Sequence, residues 1–263
     1  MPQPPPIRFS DGAAYEDFMG KWSQLAGDTF LRWLEPPPGW RWVDVGCGNG
    51  AFTEMLVDRG APVAVHGIDP SIEQIAFARE RLGGSSAQFD VGDAMALPCA
   101  DASFDAAVMA LVIFFVPDPA KSVAEMARVV RPGGSVSAYA WDILGGGFPY
   151  AALQDEMAKL AMTPAWPPSV EASRMATMRA LWAGAGLRQI ETHEIDVERT
   201  FADFDSFWRI AQTGPRLAES LAAMPKDAHQ TLRERLRGRL IADAEGRITY
   251  RARANAIKGR VPD

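Results

Sequence analysis

Trp42-Val43-Asp44-Val45-Gly46-Cys47-Gly48-Asn49-Gly50-Ala51-Phe52-Thr53 decides how the rest of the chain is read. A short apolar run carrying one acid breaks into three glycines spaced two apart. After them Phe52, Met55, Leu56 and Arg59 fall at helical spacing. The stretch therefore predicts a strand, a tight turn and a helix start. Glycine suits so tight a turn because it takes positive φ, and because the missing side chain lets a ligand approach the backbone. The helix start leaves amide donors unpaired, pointed at whatever occupies the turn. The same turn also serves as a plain connection in doubly wound folds, so its neighbours must decide.

Downstream, strands and helices alternate. The helix after the turn runs to about Arg59 and stops at Gly60. Pro62 to Ile68 is a β-branched-rich strand, and Ser71 with Gln74 forms a capping box for a helix reaching Gly83. Gln88–Val91 is a third strand. Phe104–Val116 opens as a continuous apolar run, the pattern of a central parallel strand buried on both faces. A helix over about Pro119–Val130 ends at Pro132-Gly133-Gly134, and Ser135–Trp141 is a fifth strand. Arg188–Thr200 and Ile248–Lys258 read as a final antiparallel pair, preceded by helices at about 149–162 and Ser173–Ala183. Helical stretches at about 203–223 and 227–241 fill the interval between the two last strands. Leu232, Leu236 and Leu240 stripe the second, and its four arginines (Arg233, Arg235, Arg237, Arg239) read as a solvated face.

The fold class that follows is α/β, a Rossmann-like seven-stranded sheet, mostly parallel with an antiparallel last strand and helices on both faces. Right-handed crossovers carry the strand C-termini to one edge, where ligands bind. Asp44 with its glycines, Asp69, Asp93 and the stretch from Leu111 to Phe115 all fall there.

Upstream of the glycine turn, residues 1–12 form a proline-rich leader. Ala14–Leu34 is helical, in two pieces interrupted near Gly20 or Gly27. The expected organisation is an N-terminal helical lid at 1–38 and a single domain over 39–263, with a helical insertion at about 201–245. At 263 residues, with 48% hydrophobic and 23% charged residues, the chain can bury a substantial core. A formal charge of −6 disfavours nucleic acid as a partner. The two cysteines, Cys47 and Cys99, supply neither a disulfide framework nor a metal site, and fit a reducing compartment. With no secretory signal and no run of apolar residues long enough to span a membrane, the expectation is a cytoplasmic protein, monomeric or homodimeric.

Gly46-x-Gly48-x-x-Ala51 also satisfies the nicotinamide fingerprint, with Asp69 suited to a ribose, so an NAD-dependent oxidoreductase stays open on those residues. Asp44, two positions before the first glycine, would repel a dinucleotide phosphate and attract an ammonium group. S-adenosylmethionine brings an ammonium and an adenosine without a phosphate.

At this point the sequence resembles the class I S-adenosylmethionine-dependent methyltransferases of the type 11 group, which includes the ubiquinone and menaquinone C-methyltransferases. The matching blocks are Val43–Gly50, Gly67–Ser71, Gly92–Pro98 with Ser103–Asp105, Val116–Pro119 and Glu125–Gly134. The resemblance covers roughly 40–140. It implies that Gly46, Cys47 and Gly48 bring backbone to the methionine moiety while Asp44 orients the ammonium. Asp69, followed by Pro70, would accept the ribose hydroxyls. Asp93 and the Ala94 amide would take the adenine edge, Ile72 and Met95 would wall its faces, and the Leu111 carbonyl would be a second ammonium ligand. The product would be S-adenosylhomocysteine. Many quinone-type relatives carry a histidine soon after the fourth strand, where this chain has Ile113-Phe114-Phe115.

The acceptor is expected to be a small, partly apolar molecule, bound near Trp22, Phe114 and Trp141. No general base stands out: Tyr15, Tyr139 and Asp142 are candidates by position, whereas His66 reads as a packed or surface residue, and His193 and His229 have weaker claims. A protein that binds the cofactor without transferring methyl groups is the other reading. No metal is expected.

Overall fold

A computed structural model describes residues 16–162 and 166–263. Expectations that fall on residues 1–15, Tyr15 among them, lie outside the described residues. A π-helical turn (Glu16–Gly20) leads into α1 (Lys21–Leu34). Gly20 marks the junction, while Gly27 lies within a continuous helix. A Cβ at Gly27 would stand only 3.0 Å from the Met55 side chain and 3.2 Å from the Tyr139 hydroxyl, so its absence permits close approach.

β1 (Arg41–Val45), α2 (Ala51–Gly60), β2 (Ala64–Asp69), α3 (Ile72–Arg81), β3 (Ala87–Val91) and β4 (Phe104–Ala110) follow. Next come a 3₁₀ turn (Ile113–Phe115), α4 (Pro119–Val129), β5 (Val130–Trp141), α5 (Ala151–Lys159), a second 3₁₀ turn (Val170–Ser173) and α6 (Met175–Gly184). The chain ends with β6 (Arg188–Phe201), α7 (Phe204–Ala211), α8 (Pro215–Ala222), α9 (Lys226–Arg239) and β7 (Ile248–Arg260). One seven-stranded sheet results, in the order β3-β2-β1-β4-β5-β7-β6. β3, β2, β1, β4 and β5 pair in parallel, and β7 runs antiparallel to β5 and to β6.

Three departures from expectation have local causes. β5 begins at Val130, directly where α4 ends, because Pro132, Gly133 and Gly134 sit within an extended segment whose ladder closes onto Val261 and Arg260. The expected helix at 203–223 is two helices, broken where Gly214 precedes Pro215, the first residue of α8. Three of the four arginines of α9 are not merely solvated. Arg233 and Arg237 pair with Asp205 at 2.8 and 2.6 Å, and Arg239 pairs with Asp155 at 2.8 Å.

The chain divides into two compact units. One comprises the described part of Met1–Leu25 with Phe148–Trp166 and Val197–Ala252. Its interior is aromatic: Phe18 stacks on Tyr150 at 4.5 Å between centroids, and Phe207 meets Phe201 edge-on at 5.1 Å. The other comprises Ala26–Gly147, Pro167–Asp196 and Arg253–Asp263. Its centre is β4, where Ala106, Ala107, Val108 and Met109 are wholly buried. α6 docks there through Trp182, whose indole N–H donates to the Val136 carbonyl at 3.0 Å. Trp182→Phe leaves that buried carbonyl without its donor, and should lower unfolding free energy by about 1–3 kcal/mol in urea titrations.

Candidate functional site

The site lies along the C-terminal edge of β1, β2, β3 and β4, wholly within the second unit. β1 is flanked on both sides, Asp44 pairing with Gly67 of β2 and Val108 of β4, so its side chain is enclosed by construction. Asp44 is completely buried. Thr53, one turn into α2, donates its hydroxyl to Oδ2 at 2.6 Å, and Oδ1 has no partner. Burial drives its pKa up to about 7, the Thr53 hydrogen bond opposing and the Asp69 charge adding to the rise. A buried carboxylate oxygen lacking a donor is costly, and such an atom calls for a ligand.

The glycine turn wraps around this acid. Gly46, Gly48 and Gly50 have φ of 78°, 53° and 80°, which explains why glycine recurs at two-residue spacing. At Gly46 space is also decisive, since a Cβ would stand 2.5 Å from the Val112 side chain. The Gly46 and Cys47 amides both donate to the Ile68 carbonyl, fastening the turn to β2. The Cys47 thiol points away from this edge into a buried cluster with Ile75, Ala78, Leu82 and Phe89, where burial pushes its pKa far up. Cys47 thus contributes backbone, not sulfur chemistry.

Asp69 closes β2. Its Oδ2 accepts the Gly48 amide at 3.0 Å and its Oδ1 the Ser71 amide at 2.9 Å, which leaves one lone pair or more on each oxygen. Burial raises its pKa, and the two amides oppose the rise. Pro70 then turns the chain, and Ser71 caps α3 by accepting the Gln74 amide. Ile72, the first residue of that helix, is 70% exposed, an uncovered apolar side chain beside a polar edge.

Beyond β3, Asp93 accepts the Met95 amide at 2.8 Å and pairs with Ala96 in a single bridge, shaping the turn through Ala94. This loop is anchored from α4. Glu125 accepts the Leu97 amide, and Arg128 donates to the Leu97 and Cys99 carbonyls while pairing with Glu125 and Asp101. The Arg128 guanidinium holds the Glu125 carboxyl below its usual range. At the end of β4, Leu111 takes φ 61°, a left-handed conformation that a bulky side chain rarely adopts, while its amide donates to the Tyr139 carbonyl at 2.8 Å. Strained backbone of this kind clusters at functional sites, which marks this edge as a candidate. Phe114 is buried and Phe115 is 47% exposed, the two rings meeting edge-on.

The residues expected at the cofactor edge (Asp44, Gly46, Cys47, Gly48, Asp69, Pro70, Ile72, Asp93, Ala94, Met95 and Leu111) therefore all lie at the C-terminal ends of four adjacent strands or on the turns and helix start that follow them. The unpartnered Asp44 oxygen, the bare Gly46 backbone and the uncovered Ile72 suit a ligand with an ammonium group and an aromatic face. Thr53 adjoins the same edge and was missed, whereas Val112 falls within the expected stretch from Leu111 to Phe115. Thr53 had a faint signal, a polar residue on the inward face of an otherwise apolar helix start.

The residues expected to serve catalysis or the acceptor are not gathered in the same way. Tyr139 is 1% exposed and packed against Phe30 and Phe52. Asp142 is tied to Arg253 at 2.6 Å and accepts the Gly145 amide, which engages its carboxylate as a loop clamp, not as a free base. Trp141 is fully buried. Trp22 belongs to the first unit, enclosed by Phe201 and Tyr250. Among the described residues no group of three or more metal-ligating side chains is present.

Residues 43–138 match the family model described as a methyltransferase domain. A demethylmenaquinone methyltransferase of Desulfitobacterium hafniense is 39% identical over 120 residues, 44% of this chain and 46% of that protein. An uncharacterised protein of Mycobacterium tuberculosis is 34% identical over 108 residues, 41% of this chain and 39% of that protein. The chain thus spans less than half the length of these curated relatives. Among solved structures, phosphoethanolamine N-methyltransferase 2 of Haemonchus contortus in complex with S-adenosyl-L-methionine superposes with a TM-score of 0.59. It shares 20% identity, with 95% of this chain and 56% of that chain covered, a likeness of fold. Residues 43–138 thus carry the match to a methyltransferase domain, and the likeness to the methyltransferase relatives is confined to less than half of the chain.

Proposed function

We propose that this protein transfers a methyl group from S-adenosylmethionine to a small, partly apolar acceptor by in-line displacement. The observation that carries the reading is the buried Asp44 carboxylate with an unsatisfied oxygen at the C-terminal end of the central strand β1. When bound, the cofactor supplies a sulfonium-activated methyl group. The chain's own task is orientation. Asp44 and the Leu111 carbonyl would hold the ammonium end, Asp69 the ribose, and the Asp93–Met95 turn the adenine edge, with Ile72 covering one ring face.

Alignment with water excluded is itself a large effect, up to roughly 7–11 kcal/mol in favourable cases. The exposed Phe115 ring and the apolar Ile113–Phe115 turn support an acceptor with apolar surface. The absence of histidine from that turn supports catalysis by positioning for acceptors that lose their proton readily. A net charge of −6 supports a small molecule over nucleic acid. No helix among the described residues is long and apolar enough to cross a membrane.

The test is incubation with S-adenosylmethionine and a panel of phenols, quinols, amines and thiols, with S-adenosylhomocysteine read by mass spectrometry. Product formation with an apolar acceptor is the expected result. Tight cofactor binding without product across the panel would replace transfer with binding alone, and calorimetric binding of NAD in its place would overturn the reading.

A further inference from the structure

His66 and Cys99 lie outside the cofactor edge and take no part in the reading above. His66 sits within β2, Asp90 on the neighbouring β3, and Cys99 in the loop that follows. The pairing of His66 with Gln88 and of Ile68 with Asp90 brings the imidazole and the Asp90 carboxylate to one face of the sheet. His66 Nε2 lies 2.9 Å from Asp90 Oδ2, and its other nitrogen, Nδ1, lies 3.9 Å from the Cys99 sulfur. Asp90 is itself steadied by Arg79, at 3.2 Å from its second oxygen.

A carboxylate facing Nε2 fixes the proton there and leaves the Nδ1 lone pair directed at the thiol. The three groups thus stand in line as nucleophile, base and orienting acid. Cys99 is partly exposed, and its backbone is fixed by its N–H donating to the Leu97 carbonyl and by the Arg128 side chain on its own carbonyl.

We propose that Cys99 is a covalent modification site, a thiol activated by His66 for reaction with a small hydroperoxide. The sulfur attacks one peroxide oxygen while the thiol proton passes to His66 Nδ1. The S–O bond forms and the O–O bond breaks, and the departing alkoxide, or hydroxide from hydrogen peroxide, takes the proton from the imidazole as alcohol or water. Sulfur loses two electrons and the peroxide gains them, leaving a sulfenic acid.

The groups facing the pair decide between two modes of activation. Burial and the charges of Asp90 and Glu125 raise the Cys99 pKa, and Arg128 opposes them. The Cys99 thiol therefore rests protonated, which calls for proton transfer to His66 during attack and not for a standing thiolate. The chain carries its own control: of its two cysteines, Cys47 is buried among apolar side chains with no imidazole beside it.

The experiment treats the intact protein with hydrogen peroxide, traps sulfenic acid with dimedone and quantifies both cysteines by peptide mass spectrometry. Cys99 should react at least about tenfold faster than Cys47. His66→Gln, checked for folding by circular dichroism, should slow Cys99 about tenfold or more and leave Cys47 unchanged. If that variant does not fold, Asp90→Asn serves, with a severalfold drop expected. Equal rates at the two cysteines, or a folded variant that oxidises as fast as the parent, would overturn the proposal. The outcome is independent of methyl transfer, since no cofactor enters the assay.

Discussion

Asp69→Ala is expected to raise the dissociation constant for S-adenosylhomocysteine by about 100-fold or more in isothermal titration calorimetry. Two contributions add. Its carboxylate oxygens already accept the Gly48 and Ser71 amides, and their remaining lone pairs are free for two ribose hydroxyls. Hydrogen bonds to a charged group are worth about 1.5–3 kcal/mol each, so two at the low end give about 3 kcal/mol, a little over two decades in affinity. The alanine also releases the glycine turn from β2 on the Gly48 side. Asp69→Asn should fall between, because one carbonyl oxygen cannot accept both amides. An affinity within threefold of the parent would exclude Asp69 from the ribose site.

The second large effect is a pH dependence centred on Asp44. Its pKa stands near 7 in the folded chain, against an ordinary carboxylate value when unfolded. The folded state thus binds the proton more tightly than the unfolded one. This group's contribution to stability is complete below the unfolded pKa and is lost as pH rises from about 4 through about 7. Ligand binding runs the other way. An ammonium ion pairs with the carboxylate, so affinity should rise by up to tenfold per unit as pH climbs towards 7, then level off. An α-amino group loses its own proton near pH 8, which should bring affinity down again above that value. Binding near pH 6 should therefore release a proton, visible as a heat that varies with buffer ionisation enthalpy. Asp44→Asn should abolish the acidic limb and weaken binding at pH 7.5. A parent affinity flat from pH 5.5 to 7.5 would contradict the assignment.

How far the molecule was legible varies from element to element. The β1 turn and α2 could be read because glycine spacing and apolar period change at the same residue. α4 announced its start through Asp118 before Pro119, and the structure has the Asp118 side chain accepting the Lys121 amide there. Elements whose limits depend on tertiary partners were less clear. β5 extends back to Val130 because strand neighbours accept a segment that proline and glycine would otherwise end. The break at Gly214-Pro215 was written in the chain but was overridden by the apolar period on either side.

The gathering of Asp44, Asp69 and Asp93 on one sheet edge was legible because each lies at, or just beyond, the C-terminal end of a strand. The anchoring of the Leu97–Asp101 loop was not, since Glu125 and Arg128 reach it from 27 to 31 positions away. Tyr139, Trp141 and Asp142 stood at a strand terminus in the sequence, yet burial or ion pairing engages each of them. Position along the chain says nothing about which way a side chain is already committed.

The left-handed leucine that ends β4 bears on how the protein would respond to directed stabilisation. Its backbone conformation costs roughly 1–2 kcal/mol that glycine at the same place would not. A selection for heat resistance alone would therefore reward relief of Leu111, and, with its carbonyl holding the ammonium end as proposed, the survivors would be sturdier molecules with a slackened grip on that group. Thermal improvement and catalytic competence should trade against each other at this single position.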